Sequence, residues 1–148
     1  MLVQVEKLTK ETEAILLERF GKDCIIALAT ALDNIPYVRS VDAFYEDGSF
    51  YVLTHGLSGK MKQIEQNPMV AVSGEWFTAQ GKGVNLGYFR KADNAYIASK
   101  MKQVFSAWID NGHNNFEDTN TCILRIQLTH GTLFSNGTCY EIDFTQQP

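Results

Sequence analysis

The sequence predicts a mainly β fold with flanking helices (α+β), arranged as a small, mostly antiparallel barrel. Three observations carry this. Strand-like segments follow one another through hairpin turns rather than alternating with helices, the order of an antiparallel sheet. The helical stretches between them have one apolar face each, so they pack outside the barrel. Finally, 148 residues with 45% hydrophobic and 20% charged side chains suffice for one core without a disulfide or structural metal. Residues 1–148 therefore read as a single domain. A parallel doubly wound sheet is disfavoured, because each of its strands needs a helical crossover.

A helix is expected over Thr9 to Phe20, with Ile15, Leu16 and Phe20 on one face and Gly21 as its stop. CIIALAT (24–30) reads as a buried strand that turns at Leu32-Asp33-Asn34. Tyr37 to Tyr45 and Ser49 to Thr54 form a hairpin across Glu46-Asp47-Gly48. Ser58 to Gln66 is a short helix with Met61 and Ile64 inward, ended by Asn67-Pro68. Met69 to Phe77 and Ala79 to Gly87 read as a strand pair. Arg90 to Asp110 is the longest helix, with Ile97, Met101, Val104, Phe105 and Trp108 forming its stripe. CILRIQL (122–128) continues to Phe134, turns at Asn136-Gly137 and returns through Cys139 to Phe144.

A net charge of −4 and a pI near 5.3 disfavour a dedicated nucleic-acid binder. No apolar run reaches the roughly 18 residues of a membrane span. The first residues lack the basic-then-apolar order of a signal peptide, so a cytoplasmic chain is expected. Cys24, Cys122 and Cys139 read as reduced thiols.

Two segments carry candidate chemistry. At Ser58-Gly59-Lys60 a helix begins after a glycine-containing bend. Free backbone N–H groups, a hydroxyl and an ammonium together make an anion site; a plain Ser58 N-cap and a solvated Lys60 are the alternatives. The segment is not a P-loop, since Thr54 and Met61 stand where that pattern requires glycine and a hydroxyl residue. In IPYVRSVDAFY (35–45), strand alternation puts Val38, Ser40 and Asp42 on one face and Arg39, Val41 and Ala43 on the other. A guanidinium among apolar neighbours needs a partner, either a carboxylate or a ligand phosphate. Hairpin linkage lets Arg39 and Lys60 converge on one anion.

The ordered set P-x-x-R-S-V, D-G-x-x-Y-x-x-T and S-x-K-x-x-Q-I-E-x-N-P resembles the FMN-binding split-barrel family, whose best-known member is pyridoxamine 5′-phosphate oxidase. A V-A-V strand, a Q-G-K-G strand and a terminal L-R-I strand extend the likeness over roughly residues 20–144. The resemblance implies an antiparallel Greek-key split barrel that dimerises with FMN at the subunit interface. Carried over by position, Arg39 and Lys60 hold the phosphate and ribityl chain, assisted by Ser58 and Gly59 at the helix start. Ser40, Val41 and Asp42 run along the isoalloxazine ring, and Leu53 and Thr54 complete its floor. Trp76, Trp108 and Phe134 are candidates for the partner subunit's contribution, each with core packing as the alternative.

The sequence also departs from the oxidase. Gly59 replaces a second basic residue, Phe44 stands where a lysine faces substrate, and Phe134 replaces a tryptophan. The tail NGTCYEIDFTQQP (136–148) contains no arginine or lysine, so cations for a second phosphate are missing. Oxidation of pyridoxamine phosphate is not expected, and the length suits the general-stress and nitroimidazole-reductase-like branch. The expectation is an FMN-dependent oxidoreductase serving a small acceptor. The alternatives are a flavin store, sensor or relay without turnover, and a family member that binds haem or another ligand. No catalytic acid or base stands out.

Other signals are set aside. Gly81-Lys82-Gly83-Val84-Asn85-Leu86-Gly87 places its third glycine one residue late for a dinucleotide loop. Asn136-Gly137-Thr138 is better explained as a turn than as a glycosylation site. His55, His113 and His130 lack metal-ligand spacing. His55 reads as a surface turn histidine, and the polar segment 111–121 as a loop bordering the cofactor's open face.

Overall fold

The protein is described here as a computed structural model covering residues 2–146. It opens with a strand absent from the sequence reading, β1 (Leu2–Lys7), which runs parallel to the last strand. Helix α1 (Lys10–Phe20) follows, started by a capping box in which Thr9 and Thr12 satisfy each other's backbone N–H. Glu11 and Glu13 in its first turn and Arg19 in its last suit the helix dipole.

Strands β2 (Cys24–Leu32) and β3 (Ile35–Glu46) pair across Asp33 and Asn34, at φ 53° and 61°. Asp47 and Gly48, at φ 47° and 79°, join β3 to β4 (Ser49–His55) in the same way. Two successive left-handed residues give the primed turn whose twist matches its strands. Helix α2 (Gly59–Gln66) then buries Met61 and Ile64.

β5 (Met69–Gly74) and β6 (Phe77–Tyr88) turn at Glu75-Trp76, earlier than expected. Trp76 takes φ 52° there, so no glycine or asparagine marks the turn. Phe77, expected to end one strand, begins the next and is buried against Phe20, Phe50 and Phe144. It is therefore part of the barrel core.

The long helix expected over 90–110 is a single 3-10 turn (Ala92–Asn94) and α3 (Ala95–Val104). Its start is tied by the buried Asn94, whose amide donates to Leu86 O and Tyr88 O at 2.9 and 2.8 Å. Phe105, Trp108 and Ile109 keep facing the same apolar cluster after the helix ends, so periodicity alone could not mark its end. β7 (Thr121–Ser135) and β8 (Thr138–Asp143) form the last hairpin, with Asn136 and Gly137 at φ 49° and 79°.

The sheet order is β1-β8-β7-β4-β3-β2-β5-β6, and β6 also pairs with β7. Six antiparallel strands thus close a barrel, with β8 and β1 extending it from the far half of β7. A register shift lets β7 serve both parts: Gln80 faces His130 while Gly81 faces Leu128. Gly81 is required at that bend, since a Cβ there would lie 2.5 Å from Gln127 O.

One core fills the barrel, with Ile26, Leu28, Val41, Phe50, Leu124 and Ile126 among its residues. A second lies outside it, where Phe44, Tyr51 and Ile123 pack against Phe89, Met101, Phe105 and Ile109. Cys24, Cys122 and Cys139 are free thiols. No helix among the described residues is long and apolar enough to cross a membrane.

Candidate functional site

β3 pairs with β4 only over Phe44–Glu46 and Ser49–Tyr51. Beyond Phe44 the two strands part, and β3 from Ile35 to Ala43 keeps β2 on one edge only. The barrel is split at this point. Ser40, Val41 and Asp42 lie on that open length of β3; Leu53 and Thr54 lie on the facing length of β4, whose other edge is bonded to β7. Ser40 and Asp42 are exposed and Val41 is buried, while Leu53 and Thr54 are half-buried, so the expected alternation holds.

Arg39 turns inward from β3 but is only half-buried. Its Nη1 donates to Thr30 Oγ1 at 2.8 Å and Leu28 O at 3.3 Å, and its Nη2 to Gln63 Oε1 at 2.9 Å. Thr30 Oγ1 donates to the same Gln63 oxygen at 2.6 Å. Strand β2 and helix α2 together therefore fix the guanidinium plane, and among the described residues no carboxylate lies within ion-pair distance of it. Gln63 and Thr30 were not singled out from sequence. Gln63 was in view as the glutamine three residues after Lys60, one helical turn along the same face.

Lys60 stands in the first turn of α2, also without a carboxylate partner among the described residues. Burial, and then the charge of Arg39, hold its ammonium below the usual lysine range. Burial lowers Arg39 as well. Ser58 occupies the N-cap in extended conformation, yet its hydroxyl makes no capping bond. Its Oγ is buried and unpartnered, which argues against a plain capping role. At Gly59 an added Cβ would meet nothing within 4 Å, so the first turn is open to a ligand. Two neighbouring cations, an orphan hydroxyl and a helix N-terminus are the donor set of an anion site, and they fit a phosphate.

The three aromatic candidates do not join this cluster within one chain. Trp76 is 70% exposed and packs edge-on against Phe134 at 6.4 Å. Arg19 holds the turn beneath this pair, donating to Glu75 O and Phe134 O at 3.1 Å each. Trp108 packs on Phe105 with centroids 4.7 Å apart, and its Nε1 donates to Asp23 at 2.9 Å, so core packing accounts for it. Phe44 is fully buried between Tyr51 and Phe105. The cluster around α3 covers this position.

His55 is exposed, as expected, but it is not idle. Its Nδ1 accepts from Leu57 N–H at 3.2 Å, which leaves Nε2 to donate to Asp118 Oδ2 at 3.0 Å. The pair ties the 111–120 segment to the β4–α2 bend beside Thr54. Asp118 is held below the usual carboxylate range by the Asn120 N–H and by His55.

No protein-family model and no curated protein matches the sequence. Solved structures do match. A NimC/NimA family protein from Clostridium acetobutylicum is 22% identical, over 84% of this chain and 88% of that one, with a TM-score of 0.63. A pyridoxamine 5′-phosphate oxidase-related, FMN-binding protein from Nostoc punctiforme is 18% identical, over 83% and 81%, with a TM-score of 0.56. A heme-binding protein from Mycobacterium smegmatis is 11% identical with a TM-score of 0.65; the match covers 93% of this chain and 60% of that longer one. At these identities the likeness is one of architecture, and the chain has the split-barrel fold of the pyridoxamine 5′-phosphate oxidase-like flavoproteins.

Proposed function

We propose that the chain is a single-domain, cytoplasmic FMN-binding flavoprotein that works as a homodimer. It acts as an oxidoreductase passing electrons or hydride to a small acceptor, and does not oxidise pyridoxamine phosphate. The observation that carries this is the Arg39–Lys60 pair at the open start of α2, with no carboxylate within ion-pair distance among the described residues and with the Ser58 hydroxyl buried beside it. Neighbours of the same fold are described as binding FMN or heme, and a terminal phosphate suits this donor set.

When bound, the flavin supplies the redox chemistry. Arg39 and Lys60 neutralise its phosphate, Ser58 donates from the helix start, and Gln63 and Thr30 keep Arg39 in plane. The open edges of β3 at Ser40–Asp42 and of β4 at Leu53–Thr54 offer backbone hydrogen bonds to the ring. Trp76 and Phe134 are left for the partner's site. The reading without turnover, as a store, sensor or relay, draws on His55: both its nitrogens are engaged, so it is not poised as a base beside Thr54.

The test is a titration of purified protein with FMN, riboflavin and haem, followed by absorption. FMN should bind tightest, and haem binding with FMN refused would overturn the reading. The pH profile adds a sign. Phosphate gives Lys60 an opposite charge, so its pKa in the complex lies above its depressed value in the free protein. The FMN-over-riboflavin preference is then full below the free-protein value and falls as pH rises through it towards the bound value. At the acid end it weakens near pH ~6, where the phosphate takes up its second proton. A preference that stays flat on the alkaline side would remove Lys60 from the site.

Dimerisation is supported by exposed apolar side chains on the outer face of β2–β3, beside the exposed Ser40 and Asp42. Ile25 and Val38 are 69% and 71% exposed, with Ala29 paired to Val38 and Ala27 between Ala29 and Ile25 on the same face of β2. A stable dimer would bury upwards of about 2,000 Å² in total. Light scattering should give twice the chain mass of 16.7 kDa, and Val38→Glu should return it to one chain. A wild-type mass of one chain with FMN present would overturn the assignment.

A further inference from the structure

A cleft of about 440 Å³ opens at the other end of the barrel, walled by α1, the β3–β4 hairpin, β7 and the residues after β8. Its volume lies in the range of small-molecule sites, about 300–1,000 Å³. Arg39 and Asp47 are eight residues apart on and just beyond β3, so the cleft is more than about 20 Å along the strand from the Arg39–Lys60 cluster.

Two charged side chains of the cleft lack a counter-ion among the described residues. Arg125 is oriented by its Nε, which donates at 3.0 Å to Oγ of the fully buried Ser49. Among the described residues no carboxylate lies within ion-pair distance of Arg125, although Glu13 and Asp47 line the same cleft. Glu13 is the second of them. Its Oε1 accepts from the buried Tyr45 hydroxyl at 2.5 Å, and its Oε2 is buried with no partner. Burial, reinforced by the charge of Asp47, raises its pKa. Glu13 and Asp47 are thus two neighbouring carboxylates lining one cleft, an arrangement that a positively charged donor relieves.

The charges select the ligand. A simple anion drawn to Arg125 would meet Glu13 and Asp47, and a simple cation drawn to these two would meet Arg125. A molecule with one group of each sign satisfies both ends, while Leu128 and Phe144 offer apolar contact. We propose that the cleft is a second small-molecule site, for an α-amino acid whose carboxylate meets Arg125 and whose ammonium meets Glu13 and Asp47.

The full chain should be screened with each of the twenty L-amino acids at millimolar concentration by thermal shift, and hits titrated calorimetrically. At least one should bind saturably. Its N-acetyl and α-amide derivatives, each lacking one charge, should bind about tenfold more weakly or worse, as loss of one charged hydrogen bond implies. Arg125→Gln and Glu13→Gln should weaken it comparably while FMN affinity, read on the same samples, stays unchanged. The derivatives test the wild-type protein, so the proposal remains exposed even if a variant fails to fold. Failure of all twenty to bind would overturn it, as would binding indifferent to the derivatives or, in folded variants, to both substitutions.

Discussion

Lys60→Ala lowers the affinity of the apo-protein for FMN by about 10- to 150-fold and leaves riboflavin affinity nearly unchanged. The magnitude follows from the interaction lost. A hydrogen bond to an ionised group contributes roughly 1.5–3 kcal/mol, and each 1.4 kcal/mol is about tenfold in affinity. The net charge of −4 repels a phosphate in general, so the local cations must offset it. The fold should not suffer. Lys60 pairs with no carboxylate among the described residues and sits beside another cation, so its removal relieves repulsion and holds or slightly raises the melting temperature of the apo-protein. Arg39→Ala should differ. It removes the Arg39 donor from Gln63 Oε1 and from Thr30 Oγ1, which keep only their bond to each other, and so lowers stability together with FMN affinity. Paired titrations with FMN and riboflavin, beside thermal melts, separate the two outcomes. If Lys60→Ala binds FMN like wild type, the phosphate site lies elsewhere and the assignment of Ser58-Gly59-Lys60 falls with it.

What the sequence made legible is what short-range chemistry dictates. Asp47-Gly48 and Asn136-Gly137 announce left-handed turns, and both hairpins form there. The alternation through Val38, Arg39, Ser40 and Val41 survives as an outer and an inner face. Ser58-Gly59-Lys60 does start a helix. What stayed hidden depends on distant neighbours. The Glu75-Trp76 turn uses a tryptophan at φ 52°, with the bend held by Arg19 from α1. Strand β1 exists through its pairing with β8, more than a hundred residues away. Gln63 acquires its role only because α2 lies over β2 and brings it to Arg39 and Thr30. The cleft at Arg125 joins four elements, none of which carries a local signal for it.

Phe44→Ala is expected to cost about 3–5 kcal/mol of folding stability, the usual penalty for emptying a fully buried phenylalanine site. For a domain whose total stability is about 5–15 kcal/mol, this is a large effect for a single change. Phe44 is 0% exposed, stacks on Tyr51 at 5.4 Å and meets Phe105 edge-on at 5.8 Å. It is also the last residue of β3 before β3 and β4 part, so it acts as the wedge between barrel and α3 at the foot of the split. Its loss should loosen both strand edges, and the affinity for riboflavin, which reports on the ring floor without the phosphate, should fall with stability. Phe44→Leu, which keeps most of the volume, should cost markedly less. Phe44→Lys should be worse than alanine, because it buries an ammonium among aromatic rings without a carboxylate. A lysine here therefore cannot be added to recover the oxidase's substrate contact in this chain. Urea denaturation of the four proteins, with riboflavin titrations on the folded ones, gives the ranking. If Phe44→Ala costs less than about 1 kcal/mol, the outer core is not what holds the split in place, and the geometry of the ring floor must come from β2 and α2 alone.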